Sequence, residues 1–173
     1  IRQSLVGSEM CIRDSTSGLT YGFMNSNVVD EAYRARDLEF SGNRAALAQC
    51  VEELASVPLV CQPGSQWNYS VSIDVLGRLV EIWSGQTLAT FFNDHIFVPL
   101  EMRDTGFFVA PEKQSRFAAL YSPLSGGDMS SVGRKSAPTA AQPRGGLKQM
   151  ESSIRSAYFK DPALYSGGGG SVS

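Results

Sequence analysis

The chain has 173 residues, a formal net charge of −2, and 42% apolar and 18% charged residues. That is enough chain to bury the core of one domain, and the composition is that of a globular protein. The charge offers no basic footprint for nucleic acid or an anionic membrane, and no apolar run approaches the roughly 18 residues that span a bilayer. Ile1 stands where an initiator Met would, and no signal-peptide pattern follows it, so the true N-terminus is expected upstream. The compartment, cytoplasmic or periplasmic/secreted, and the oligomeric state stay open.

Residues 1–14 keep neither a helical nor a strand period for long. They read as translated adapter sequence, artefactual or disordered, with an ordinary divergent helix as the alternative. Residues 16–27 are polar and contain glycine, which indicates a loop. Residues 26–38 predict a helix with Val28, Val29, Ala32 and Tyr33 on one face. After a break at Phe40-Ser41-Gly42-Asn43, residues 44–56 predict a second helix, with Leu47, Val51 and Leu54 spaced for burial. Cys11, Cys50 and Cys61 lack metal-ligand spacing, and no metal or other cofactor is implied. Cys50 reads as buried. A Cys50–Cys61 bridge stays open, and with it the redox compartment.

Pro63-Gly64 signals a turn, because Pro presets φ and Gly tolerates positive φ. Val71, Val75, Leu76, Leu79, Val80 and Trp83 then recur at helical spacing over residues 70–84. Ser70 or Ser72 is placed to cap this helix, Asp74 falls in its first turn, and Gly85 is the expected stop. Tyr69 therefore sits where a turn meets the positive end of a helix, a setting in which a phenol can serve as a general base. Packing of the turn onto the helix is its alternative role. Trp67 reads as packing rather than as a substrate contact.

Thr87 caps the next helix, with Leu88, Phe91, Phe92 and Ile96 inward and Pro99 ending it. His95, the only His, reads as a helix-surface or partly packed residue, since no nucleophile or metal partner stands near it in sequence. The helical core is expected over residues 26–98, with Val75, Leu76, Leu79, Phe91 and Phe92 largely buried. Residues 107–109 and 117–121 predict short strands, and 122–146 a long surface loop. Residues 147–159 read as partly helical. Residues 167–170 form a glycine turn that lacks the Gly-Lys-Ser/Thr of a nucleotide-binding loop.

Four stretches carry a family resemblance. The run from Pro63 to Gln86, centred on Tyr69-Ser70-Val71, resembles the tyrosine-motif segment of serine hydrolases with the class C β-lactamase fold, whose relatives include esterases, D-aminopeptidases and penicillin-binding proteins. Ser15-Thr16-Ser17-Gly18-Leu19-Thr20 is similar to that family's His-Thr-Ser-Gly-Leu segment. The run from Ile96 through Pro99-Leu100-Glu101-Met102 to Phe107 is similar to its Pro-Leu-Gly-Met segment. The run from Ser166 to Ser173 is similar to its glycine-rich Gly-Gly-Gly-Gly-Leu-Val-Ser-Thr segment. All four follow the family's order, over residues 15–173.

The resemblance implies a mainly α chain with short strands, the helical part of the β-lactamase/transpeptidase-like α/β fold. Such hydrolases use a Ser-x-x-Lys nucleophile, a Tyr in the second motif and a Lys-Thr-Gly-type third motif. A serine hydroxyl is too weakly acidic to attack alone, so Lys and Tyr must take its proton. Lys113, Lys135, Lys148 and Lys160 are preceded three residues earlier by Ala110, Val132, Gly145 and Ala157, so Ser-x-x-Lys is absent, as is Lys-Thr-Gly. The chain thus reads as an internal fragment that carries one catalytic residue, Tyr69, and is itself inactive. Val71 stands where class C enzymes have the Asn of Tyr-x-Asn, which favours the esterase-like branch. The implied parent acylates a serine on a small-molecule ester or amide. A penicillin-binding or sensor protein and a catalytically dead interaction module are the alternatives.

Overall fold

Asn27 starts a two-turn helix. Its side-chain oxygen accepts from the backbone N–H of Val29 and Asp30 at 3.0 and 2.8 Å, two donors that a helix start would otherwise leave unpaired. Helix α1, Val28–Ala35, buries Val29 and Tyr33, one turn apart, together with Asp30. Helix α2, Leu47–Leu54, buries Leu47, Cys50 and Leu54 at i, i+3 and i+7. Helix α3, Ser72–Ser84, is the longest and ends at Gly85, whose φ of +69° lets its N–H reach the Glu81 carbonyl. Helix α4, Leu88–Phe92, opens on Thr87, whose hydroxyl accepts from Thr90 N–H, and runs on as one π-helical turn, Asn93–Phe97. The computed structural model describes residues 11–24, 27–38, 46–123, 147–151, 154–162 and 164–166.

The described chain forms two compact units. The first comprises residues up to 108 and from 161 onward. It holds the four helices and a core that includes Tyr33, Leu38, Leu47, Val71, Leu88 and Phe107. Phe92, Phe97, Phe107 and Tyr165 extend that core as a run of ring contacts with centroids 5.2 to 5.9 Å apart. The second unit, residues 109–160, holds two short 3₁₀ helices, Pro111–Arg116 and Ala157–Phe159. Its strands β1, Leu120–Pro123, and β2, Leu147–Glu151, pair antiparallel, with an irregular register between Leu120 and Tyr121. The described elements are thus mainly helical with two short strands, as expected.

Several expectations are corrected. Residues 107–109 form no strand, and of the described residues in 147–159 only Ala157–Phe159 are helical, as a 3₁₀ turn, while 147–151 are a strand, because Leu147 to Glu151 find a ladder partner in β1 that no local periodicity reveals. Of residues 117–121, only Leu120 and Tyr121 join a strand. Val75, Leu76, Leu79, Phe91 and Phe92 are partly rather than largely buried. On α3 the buried positions are the small or polar Ser72, Asp74 and Gly77. At Gly77 a Cβ would lie 2.9 Å from the Leu88 side chain, so the missing side chain is what lets Leu88 pack here. The core also reaches beyond residues 26–98, to Tyr21, Phe107 and Leu164.

Neither Ser70 nor Ser72 is the residue that caps α3; that position is Val71, with no side-chain cap. Cys50 and Cys61 are not joined by a disulfide. Residues 11–13 make a helical turn tied to the following loop by Thr16 N–H donating to the Cys11 carbonyl at 2.8 Å. The break at residues 40–43, residues 124–146 of the expected loop, the glycine turn at 167–170 and residues 1–10 lie outside the described residues.

Candidate active site

Loop 15–21 is stitched to the chain on both sides. The carbonyls of Thr16 and Gly18 accept from Gly64 and Val60 N–H at 2.8 and 2.9 Å. Those of Ser15 and Thr20 accept from Asn68 and Val71 N–H at 2.8 and 3.4 Å. Gly18 is required at its place: φ is +80°, and a Cβ would sit 2.4 Å from the Cys61 carbonyl oxygen. Beneath the loop, α1 supplies further anchors. Thr20 Oγ1 donates to Asp30 Oδ1 at 2.8 Å, and Arg34 donates to the Gly22 carbonyl. The phenol of Tyr33 is bonded to the Thr20 backbone. Burial first, with Asp30 adding to it, pushes that phenol up to about 12 against the lowering effect of the Thr20 bond.

The Tyr69 segment lies against this loop. From Trp67 to Ser70 burial alternates: Trp67 and Tyr69 face solvent, Asn68 is half-buried and Ser70 is buried. Tyr69 is 36% exposed, and its ring leans on Tyr21 with centroids 5.2 Å apart at 42°. Tyr21 in turn stacks on Phe23 at 5.0 Å. Behind Tyr69, Ser72 Oγ lies 2.7 Å from Ser70 Oγ and 3.0 Å from Ser17 Oγ. Val71 is fully buried in the core and presents nothing to solvent. Asp74, in the first turn of α3, is buried and accepts from the Ser166 hydroxyl at 2.5 Å.

The Ser15–Thr20 segment, the tyrosine-motif segment and Ser166, the first residue of the glycine-rich segment, therefore meet at the start of α3, and Tyr69 is their exposed phenol. Trp67 was read as packing and is corrected: it is 67% exposed, two residues from Tyr69 on the same solvent-facing side. His95 is exposed, with its ring 4.5 Å from Phe91, as a helix-surface residue should be. The serine cluster escaped sequence reasoning. Its one signal was the recurrence of Ser in both Thr16-Ser17-Gly18 and Tyr69-Ser70-Val71-Ser72.

A separate concavity of about 460 Å³ is lined by residues that include Leu47, Arg78, Glu81, Gln86 and Tyr165. Burial, then Asp161 and Glu81, raises the Tyr165 phenol above its ordinary value. Neither Tyr69 nor any serine, cysteine or histidine lines it, so it is distinct from the Tyr69 segment. Among the described residues no cluster of His, Cys, Asp and Glu is arranged to hold a metal, and no helix is long and apolar enough to cross a membrane.

A family model described as Beta-lactamase matches residues 14–172. The chain belongs to the β-lactamase family. Among its curated relatives, protein Rv1367c of Mycobacterium tuberculosis is 40% identical over 107 residues, which are 61% of this chain and 25% of that protein. Esterase EstB of Burkholderia gladioli is 38% identical over 113 residues, covering 61% of this chain and 26% of the esterase. Lovastatin esterase of Penicillium rubens is 32% identical over 101 residues, covering 58% and 24%. The chain thus spans about a quarter of the length of the curated relatives it matches. In structure it is similar to EstCE1, a hydrolase with promiscuous acyltransferase activity. The TM-score is 0.63 at 23% identity, over 94% of this chain and 41% of that one. This likeness carries the fold: the mainly helical chain is a part of the β-lactamase/transpeptidase-like architecture, and its family is one of serine hydrolases.

Proposed function

We propose that this chain is the tyrosine-motif portion of an esterase-like serine hydrolase, in which Tyr69 is the general base. The observation that carries this reading is the placement of Tyr69: a half-exposed phenol at the start of α3, held against loop 15–21 by hydrogen bonds on both sides of it. In the full-length protein, the phenolate form of Tyr69 takes the proton of a serine from a Ser-x-x-Lys motif lying in polypeptide outside this chain, as the serine Oγ attacks the ester carbonyl. The tetrahedral oxyanion collapses, the C–O bond to the alcohol breaks, and Tyr69 returns the proton to the leaving alkoxide. Water then attacks the acyl-serine, with the same proton carrier acting in reverse.

Buried Val71 supports the ester over the lactam. The Asn that would hold a lactam amide in class C enzymes is replaced by a side chain that packs into the core. The names of the relatives agree, since they include two esterases. A second outcome for the same acyl-enzyme is transfer to an alcohol in place of water. A relative from Aspergillus terreus, named monacolin J acid methylbutanoyltransferase, favours it, at 29% identity over 92 residues.

The chain by itself carries a base and no activated nucleophile, and is expected to hydrolyse neither p-nitrophenyl esters nor nitrocefin. The full-length protein is expected to turn over short-chain p-nitrophenyl esters in preference to nitrocefin, and Tyr69→Phe to lower that turnover about 10²–10⁴-fold. Near-normal turnover by Tyr69→Phe removes Tyr69 from the mechanism. Turnover by the bare chain removes the need for an outside nucleophile. Added alcohol that diverts the acyl group to a new ester identifies transfer.

A further inference from the structure

We propose that Ser17, Ser70 and Ser72 form a buried three-hydroxyl clasp that positions Tyr69, an inference that deepens the reading of Tyr69 as the base. The three side chains come from two segments 55 residues apart in sequence, and Ser72 is the centre, in contact with both others. They are 5%, 6% and 0% exposed. The outer two are also engaged by backbone donors: Leu19 N–H reaches Ser17 Oγ and Ser72 N–H reaches Ser70 Oγ, each at 3.3 Å.

A hydroxyl is both donor and acceptor, and one buried without a partner is costly. Ser72 therefore depends on both outer serines, and their hydroxyls meet through it, so the set is satisfied in one register of residues 68–72 against residues 15–20. Alanines would fill much the same space and leave that register to packing and to the two backbone bonds from Asn68 and Val71 N–H. The clasp explains how an exposed side chain is held. Asn68, just before Tyr69, is pinned by its N–H to the Ser15 carbonyl, and Ser70, just after, is pinned by Ser72. The Tyr69 backbone is fixed from both sides, and its ring then rests on Tyr21, which belongs to the same loop as Ser17. A general base needs this kind of support, because small errors in placement cost large factors in rate. Ser17, Ser70 and Ser72 are positioning residues: they act through Tyr69.

The test is the Tyr21–Tyr69 ring contact, read by NMR on the 173-residue chain with labelled tyrosine rings. Ser72→Ala is expected to lose the Tyr21–Tyr69 cross-peaks and broaden the Tyr69 ring, while the ring signals of buried Tyr33 stay in place. Ser17→Ala is expected to act in the same direction from the other end of the clasp, and Ser17→Thr, which restores a hydroxyl, to recover the contact. Should Ser72→Ala fail to fold, the Ser17 pair decides. An unchanged Tyr21–Tyr69 contact in the folded alanine variants overturns the clasp, whatever Tyr69 does in turnover. Full turnover by Tyr69→Phe in the full-length protein removes the base reading and leaves the hold on the ring standing. The two failures are therefore read separately.

Discussion

A methyl group at position 18 has nowhere to go: the Cys61 carbonyl oxygen lies 2.4 Å from its ideal place, and the backbone there is left-handed. Gly18→Ala is expected to cost at least about 1–3 kcal/mol from backbone strain alone, more if the loop must move away from Cys61. A thermal melt of the variant checks this, and an unchanged midpoint would show the loop to be held less tightly than described. Tyr33 offers a second test at this scale. Its phenol titrates near 10 in an unfolded chain and is pushed up to about 12 in the fold. The folded state therefore keeps its proton while the unfolded state loses it, so stability is full below pH 10 and falls as pH rises towards 12. Urea unfolding from pH 8 to pH 11 should show that decline, and Tyr33→Phe should flatten it. Of the site, Tyr69 was legible because a turn signal and a helix start flank it and a known motif names it. The serine clasp was not legible. Serine has no strong periodic preference, and the partners of Ser72 are fixed by folding across 55 residues. Trp67 misled because a large aromatic suggests a core, while the alternation of Trp67 to Ser70 turns it outward with Tyr69.

At the scale of elements, α3 separates what periodicity can see from what it cannot. The repeat of large apolar residues located the helix within two residues of its observed bounds, and Gly85 marked its end. It did not identify the buried face, because the buried positions are Ser72, Asp74 and Gly77, which a search for large apolar residues passes over. Replacing Gly77 by Ala gains about 1 kcal/mol of helix propensity. The new methyl, however, would meet a fully buried Leu88 at 2.9 Å, and overpacking costs about 1–3 kcal/mol. The net expectation is a modest loss of stability. A rise in the melting temperature of Gly77→Ala would show that Leu88 has room to yield. Leu88→Ala, in contrast, is expected to cost about 2–5 kcal/mol, and Leu79→Ala less, because Leu79 is only partly buried. The β1–β2 pair was missed for a related reason: Leu147 to Glu151 become a strand only through partners more than twenty residues earlier.

Across the whole molecule, the surface of α3 bears on how much protein this sequence represents. A wide apolar face on a helix is normally buried. Here Ile73, Ile82 and Trp83 are exposed, Trp83 at 70%, while Leu76, Leu79 and Val80 are half-covered. The chain covers 41% of the solved EstCE1 chain whose fold it shares, so a full-length protein of this family has further polypeptide with which to cover that surface. In a Trp67→Phe background Trp83 is the only tryptophan left. In the 173-residue chain its fluorescence should be red-shifted and freely quenched by acrylamide, and Trp83→Ala should change stability by no more than about 0.5 kcal/mol. In a full-length protein that contains this segment, the emission should shift to the blue and the quenching should fall. There the same substitution should cost about 3–5 kcal/mol, the range for a buried aromatic truncated to Ala. Equal quenching in the two proteins would mean that the rest of the domain leaves this face of α3 open, and that its apolar residues serve something other than the core of a longer chain.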